Sequence, residues 1–265
     1  MTLPGPLAAF YVAAAGVLGL IFGSFATAVA YRLPRQESIA SGRSKCPNCG
    51  NTITAIQNVP VFSYVVLRGR CKHCGNRISI RYPLIELVTG ALFVGAALKF
   101  QLSAEAIIYA GFFWTLVVLT VIDLEYKLLP NKIVFPTAIA GWIALAIAAL
   151  AGGDPRRLID AAVGAVIFGG FFLLVAFLYP AGMGGGDVKL AFVLGTFLGY
   201  AGGPGVVVVG MFLSFFIGGI VGVGVMARSG GGRKMQVPFG PFLALGTVLG
   251  VFAGRDLLEA YLGTF

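Results

Sequence analysis

The sequence predicts an all-α polytopic membrane protein of about eight transmembrane helices, interrupted by one small polar loop that carries every cysteine. Three observations predict it. Hydrophobic residues fill 58% of the 265 positions and charged residues only 11%, too few charges to cover a soluble fold of this length. Apolar runs long enough to cross a bilayer recur along the chain. The 39 glycines suit close helix approach in lipid better than disorder.

The runs fall at 7–31, 83–100, 104–122, 132–151, 159–180, 187–201, 204–227 and 239–262. No Lys or Arg precedes Arg32, so the first run reads as a retained span and not as a cleavable signal with a basic start. The sixth run is short and rich in glycine. Charge then orients the spans. Segment 32–81 holds nine Lys/Arg against the single acid Glu37. Lys127, Lys132, Lys189, Arg228, Arg233 and Lys234 fall on the same side, which leaves only Lys99, Arg156, Arg157 and Arg255 opposite. The positive-inside rule makes the loops after odd-numbered spans cytoplasmic and puts both termini outside. The formal net charge of +9 is therefore a topology signal that hugs the membrane face, and no nucleic-acid partner is expected.

Three parts result: a first transmembrane helix at 1–31, a polar loop at 32–82, and a membrane domain at 83–265. The loop contains "CPNCG" (Cys46, Cys49) and "CKHCG" (Cys71, Cys74), with 21 residues between the pairs. The pattern resembles a zinc ribbon, one residue beyond its usual spacing. Each C-x-x-C turns two thiolates toward one point, and Gly50 and Gly75 ease the turns. Four soft thiolates close a tetrahedral shell around Zn²⁺ and stabilise a segment too small for its own core. Two disulfides or four free thiols are the alternatives, and a cytoplasmic loop disfavours disulfides. His73, the single histidine, is expected to be a solvated loop residue.

Two of the ten acids stand out. Asp123 ends the third run in "TLVVLTVIDLEYKLLPN", and Asp187 opens the sixth in "GMGGGDVKL". Ionisable groups at such positions face a bundle interior or a wet cavity; alternatively each simply ends a helix, with Asp187 favoured near an N-terminus. Their matching depth points to chemistry. Two neighbouring carboxylates share a proton; one takes a proton from water while the other polarises a peptide carbonyl. The glycines before Asp187, Gly184 and Gly186 among them, leave room for an extended peptide.

The motifs "GSFATAVAYRLP" (23–34), "LRGRC" (67–71), "RYPLIE" (81–86), "DLEYKLLPN" (123–131), "GMGGGDVKL" (182–190) and "VPFGPFLA" (237–244), together with the two cysteine pairs, resemble the bacterial type IV prepilin peptidases in this order along nearly the whole chain. These are the leader peptidases and N-methyltransferases of pilus and type II secretion systems. Thr27 departs from the family, which usually has Asn there. The resemblance implies Asp123 and Asp187 as the catalytic dyad of a GxGD-type aspartyl protease, in the cytoplasmic (inner) membrane with the active site toward the cytoplasm. The substrates would be prepilins or pseudopilins, cut after Gly, and the new N-terminal residue, usually Phe, would be methylated from S-adenosylmethionine. The chain has no recognisable methyltransferase glycine motif, so that activity rests on the resemblance.

Lys189 and Glu125 are either site support or membrane-edge charge, and Glu86, one turn into the second span, could simply pair with Arg81. Gly69 and Arg70, which abut Cys71, are methyl-transfer candidates; the alternative is that Gly69 turns the chain and Arg70 is a solvated charge. Two rival functions are a cleavage-only peptidase like the archaeal preflagellin enzymes, which lack the cysteine loop, and a metal-binding transporter. The second would show inverted repeats and mid-bilayer sites, and neither is evident.

Overall fold

A computed structural model describes residues 5–39, 44–180, 183–228 and 238–264. Arg43, Gly182, Arg233, Lys234 and Val237, which figure in the charge pattern and motifs above, lie outside the described residues. The elements are α1 (Gly5–Arg32), a 3-10 turn (Ile56–Asn58), α2 (Phe62–Val66), α3 (Arg81–Phe100), α4 (Ala104–Tyr126), α5 (Asn131–Ala151), α6 (Arg156–Leu178), α7 (Gly185–Arg228) and α8 (Gly240–Leu262). Seven of these helices are long and apolar enough to cross a membrane. The described residues are all-helical apart from two isolated β-bridges. Two compact units divide the chain, residues 1–121 and 122–265.

The count of seven against eight apolar runs has a physical cause. The sixth and seventh runs join in α7, a 44-residue element with non-helical backbone at Gly202 and Gly203. A straight helix of that length would be about 66 Å long, twice the hydrocarbon thickness. It is not straight. A Cβ placed on Gly210 would stand 2.8 Å from Leu198 Cδ1, whereas these positions would be about 18 Å apart along one helix axis. The halves therefore fold back on each other. The bend sits where the two runs were divided, because Gly203 takes φ +79° and Pro204 follows it. Proline at the start of the second half lacks only an N–H that has no helical partner there.

In the first unit α1 lies on α3. The G-x-x-x-G pair Gly19 and Gly23 brings the backbones together: a Cβ on Gly19 would come within 2.7 Å of Gly90 Cα, and one on Gly23 within 2.6 Å of Glu86 Cα. Close backbone approach of this kind gains dispersion in lipid, where no hydrophobic effect drives helices together. Trp114 of α4 adds to this pair, donating Nε1–H to the Phe22 carbonyl at 2.8 Å and stacking on Phe25. In the second unit Phe171, Phe172, Phe215, Phe239 and Phe242 form a connected ring cluster, with centroids 5.4 to 6.2 Å apart. Phe239 lies at its centre and immediately precedes α8.

Candidate active site and metal centre

Asp123 lies within α4, one turn before its end at Tyr126, and is 5% exposed. Its Oδ2 accepts the Gly240 N–H at 2.9 Å. Gly240 opens α8, so the carboxylate meets an N–H with no intrahelical partner at the positive end of a helix dipole. A Cβ there would fall 2.7 Å from the same oxygen, so any larger residue would displace the carboxylate or the start of α8. Phe239 sets the height of this N–H through its ring contacts with Phe172 and Phe215.

Asp187 is half-buried in the first turn of α7, its N–H donating to the Gly184 carbonyl at 3.0 Å. A Cβ on Gly184 would stand 2.9 Å from Asp187 Oδ2. Gly186 packs against Leu129: its Cβ position is 3.0 Å from Leu129 Cβ, while Leu129 Cδ2 is 3.3 Å from that of Gly240. Leu129 is thus the wedge between the two glycines beside the acids. The two carboxylates stand within electrostatic reach of each other. This geometry suits general acid–base attack of water on a peptide bond.

Lys189 is half-buried, and its Nζ donates to Asn131 Oδ1 at 3.1 Å and lies 5.5 Å from the Phe135 ring centre. Two positions along a helix turn a side chain roughly 200° away, which directs this amine to α5. Glu125 is exposed. Phe239 and Gly240 escaped the site reading of the sequence. The available signal was a proline-flanked glycine at a helix start, a shape that suits an anion.

The loop holds a second centre. The four sulfurs of Cys46, Cys49, Cys71 and Cys74 lie within 4.8 Å of one another, with Cys46 and Cys74 at 3.9 Å. Tetrahedral Zn²⁺ with bonds of about 2.3 Å needs sulfurs about 3.8 Å apart, so the donor set fits a metal. The two halves are local copies. Cys46 N–H donates to Asn51 O and Gly50 N–H to Cys46 O; Cys71 N–H donates to Asn76 O and Gly75 N–H to Cys71 O. Gly50 and Gly75 have φ of +70° and +67°, and bridges Lys45–Thr52 and Arg70–Arg77 close the two turns. Asn48 Nδ2 approaches Cys74 Sγ at 3.7 Å, the kind of outer contact that steadies a thiolate ligand.

Backbone N–H groups of Cys49 and Asn48 hold the Cys46 thiol below its ordinary pKa. The Asn76 N–H and the Asn48 amide do the same for Cys74. The Asn51 N–H pulls Cys49 the same way, yet desolvation and hydrogen bonds to the other three thiols carry it up to about 11. A bound cation would remove that conflict by favouring all four thiolates. His73 is exposed and outside the cluster. Gly69 is buried at φ +64°, where a Cβ would meet Tyr64 Oη at 2.9 Å, and Arg70 is exposed. Thr27 bonds back to the Ser24 carbonyl of its own helix at 2.7 Å.

A buried carboxylate under a helix N-terminus, a second at the start of a glycine-led helix, and a four-thiol knuckle define a polytopic membrane protein with an acid pair and a metal-type loop. Residues 17–100 match the family described as the bacterial peptidase A24 N-terminal domain, and residues 110–223 match the type IV leader peptidase family. The chain is 32% identical to a prepilin leader peptidase/N-methyltransferase of Bacillus subtilis (strain 168), over 93% of this chain and 96% of the relative. It is 34% identical to proteins of the same description from Pseudomonas putida, over 94% and 93%, and Burkholderia pseudomallei (strain K96243), over 94% and 90%. No solved structure matches the chain. The chain belongs to the type IV leader peptidase family.

Proposed function

We propose that this protein is a membrane-embedded aspartyl endopeptidase that removes the basic leader of a type IV prepilin or pseudopilin after Gly and then N-methylates the new N-terminal residue. The observation that carries the proposal is the Asp123 carboxylate, buried in a membrane helix and held by the Gly240 N–H. Such a group is too costly in lipid to persist without a task or a partner network, and Asp187 supplies the second acid. Under this reading one carboxyl group takes a proton from water as its oxygen attacks the scissile carbonyl. The other donates its proton to the carbonyl oxygen. Collapse of the tetrahedral species protonates the leaving amine and frees the leader. The exposed Gly184 leaves space for the substrate backbone beside Asp187, while Gly186 supports the site by letting Leu129 pack against the start of α7.

We assign cleavage to the spans after residue 83 and methyl transfer to the loop 32–82, with zinc held by Cys46, Cys49, Cys71 and Cys74 as a structural ion. Zinc would fix the two knuckles and thereby the segment that runs through Gly69 and Arg70. S-adenosylmethionine would supply the methyl group. The exposed Arg70 guanidinium suits the donor's carboxylate. The buried, Tyr64-packed Gly69 reads as the turn that presents Arg70. Localisation in the bacterial inner membrane, with the dyad toward the cytoplasm and both termini outside, is supported by the charge bias.

The test is mass spectrometry of a prepilin incubated with the purified protein. Leader loss and the mass of one methyl group are expected together. Leader loss without methylation would leave a cleavage-only peptidase, and neither product would overturn the proposal.

A further inference from the structure

Glu86 lies five residues into α3 and is 8% exposed, a carboxylate that peptide cleavage does not use. Its Oε2 accepts the Val61 N–H at 2.7 Å, and α1 lies against the same residue, a Cβ on Gly23 falling 2.6 Å from Glu86 Cα. Val61 is no ordinary loop residue. It carries a β-branched side chain at φ +59°, a conformation that persists only where surroundings enforce it. It is also the residue from which α2 starts. Glu86 therefore grips the chain at the root of α2.

The grip is transmitted. Tyr64 of α2 donates its hydroxyl to the Ile78 carbonyl at 3.4 Å, and its carbonyl accepts the Gly69 N–H at 2.8 Å. The Ile78 N–H donates to the Gly69 carbonyl at 2.7 Å, and the Tyr64 ring packs against Gly69. Gly69 leads through Arg70 into the Cys71 knuckle. A path of hydrogen bonds joined by the short helix α2 thus runs from the α1–α3 pair to the segment Arg68–Cys71, and Glu86 is its first link. We propose that Glu86 is a positioning residue that docks the cysteine loop on α1 and α3, acting as a hydrogen-bond acceptor for Val61. For methyl transfer the consequence is placement of the loop; it rests on the reading above that this loop carries the reaction.

The test uses the full-length, zinc-loaded protein with Glu86→Leu and Glu86→Gln. Limited proteolysis of the loop reads docking directly. Glu86→Leu should speed cutting by about ten-fold, as expected for a released segment. Glu86→Gln should stay near wild type, because its amide oxygen still accepts. An unchanged rate in Glu86→Leu overturns the proposal, and so does equal opening in both variants, which would show that charge and not the bond matters. If Glu86→Leu does not accumulate, Glu86→Ala replaces it as the variant without an acceptor; faster cutting than in Glu86→Gln is expected, and an unchanged rate or equal opening in both overturns the proposal in the same way. On one prepilin, Glu86→Leu should lower methylation about ten- to hundred-fold through misplacement while cleavage holds; an equal fall in both overturns selective docking. Gly69→Ser run alongside separates the two ideas. If Glu86→Leu opens the loop but both variants methylate normally, docking stands and the loop's assignment to methylation fails.

Discussion

The two polar centres of this molecule are held in place by opposite means. Around Asp123 the work is done by apolar packing: a phenylalanine cluster fixes Phe239, Phe239 fixes the Gly240 N–H, and the N–H fixes the carboxylate. Among its described residues the cysteine loop has almost no core. Ile56, Phe62, Val65 and Val66 are all exposed, and its shape comes from two repeated knuckles, four converging sulfurs and the Glu86 clasp. A site built into packed helices resists chelation and proteolysis but not a misplaced methyl group. A site built on a metal should show the reverse sensitivities.

The sharpest break lies in the dyad itself. Asp123→Asn or Asp187→Asn should lower prepilin cleavage by about a hundred- to ten-thousand-fold, because the amide neither carries the charge nor exchanges the proton. Insertion and zinc content should be unchanged. Wild-type cleavage by either variant, read on gels of a prepilin digest, would remove that residue from the dyad.

A smaller effect is expected one step away. Gly240→Ala places a methyl 2.7 Å from Asp123 Oδ2, so the carboxylate or the start of α8 must move. A shift of about 1 Å at a reacting group can cost a hundred-fold, and we expect cleavage to fall by about ten- to hundred-fold with the loop undisturbed. Normal cleavage by Gly240→Ala would mean that this contact only packs the helix.

Parts of this arrangement were legible in the sequence, and the limits have physical causes. The apolar runs located the seven described helices long and apolar enough to cross a membrane, because lipid demands long unbroken apolarity. Even the turn at Gly202–Gly203 fell between two runs. The ends were less visible: α4 continues through Glu125 and Tyr126, since charged residues can extend a helix past the apolar zone. The sulfur cluster was legible because C-x-x-C is a local geometry. The contacts of Asp123 with Gly240 and of Glu86 with Val61 were not, being 117 and 25 residues apart in the chain. Arg81, five residues before Glu86, is the partner the sequence offers; the structure adds a backbone N–H of the loop on the Glu86 Oε2.

A milder probe of the loop is Gly69→Ser. The side chain must enter both a left-handed backbone region and the space of Tyr64. Methylation should fall by about ten-fold, with cleavage within about two-fold of wild type. Equal loss of the two activities would mean that the loop supports the fold or substrate entry as a whole.

The most direct test of the central claim, one centre made by packing and one by metal, is to strip the purified protein with a chelator and follow a single prepilin by mass spectrometry. The account predicts about one zinc per chain before treatment. After treatment, leader removal should continue at nearly the original rate while the added methyl mass disappears, and it should return when zinc is restored. Loss of cleavage together with methylation, or methylation that survives complete removal of the metal, would contradict it.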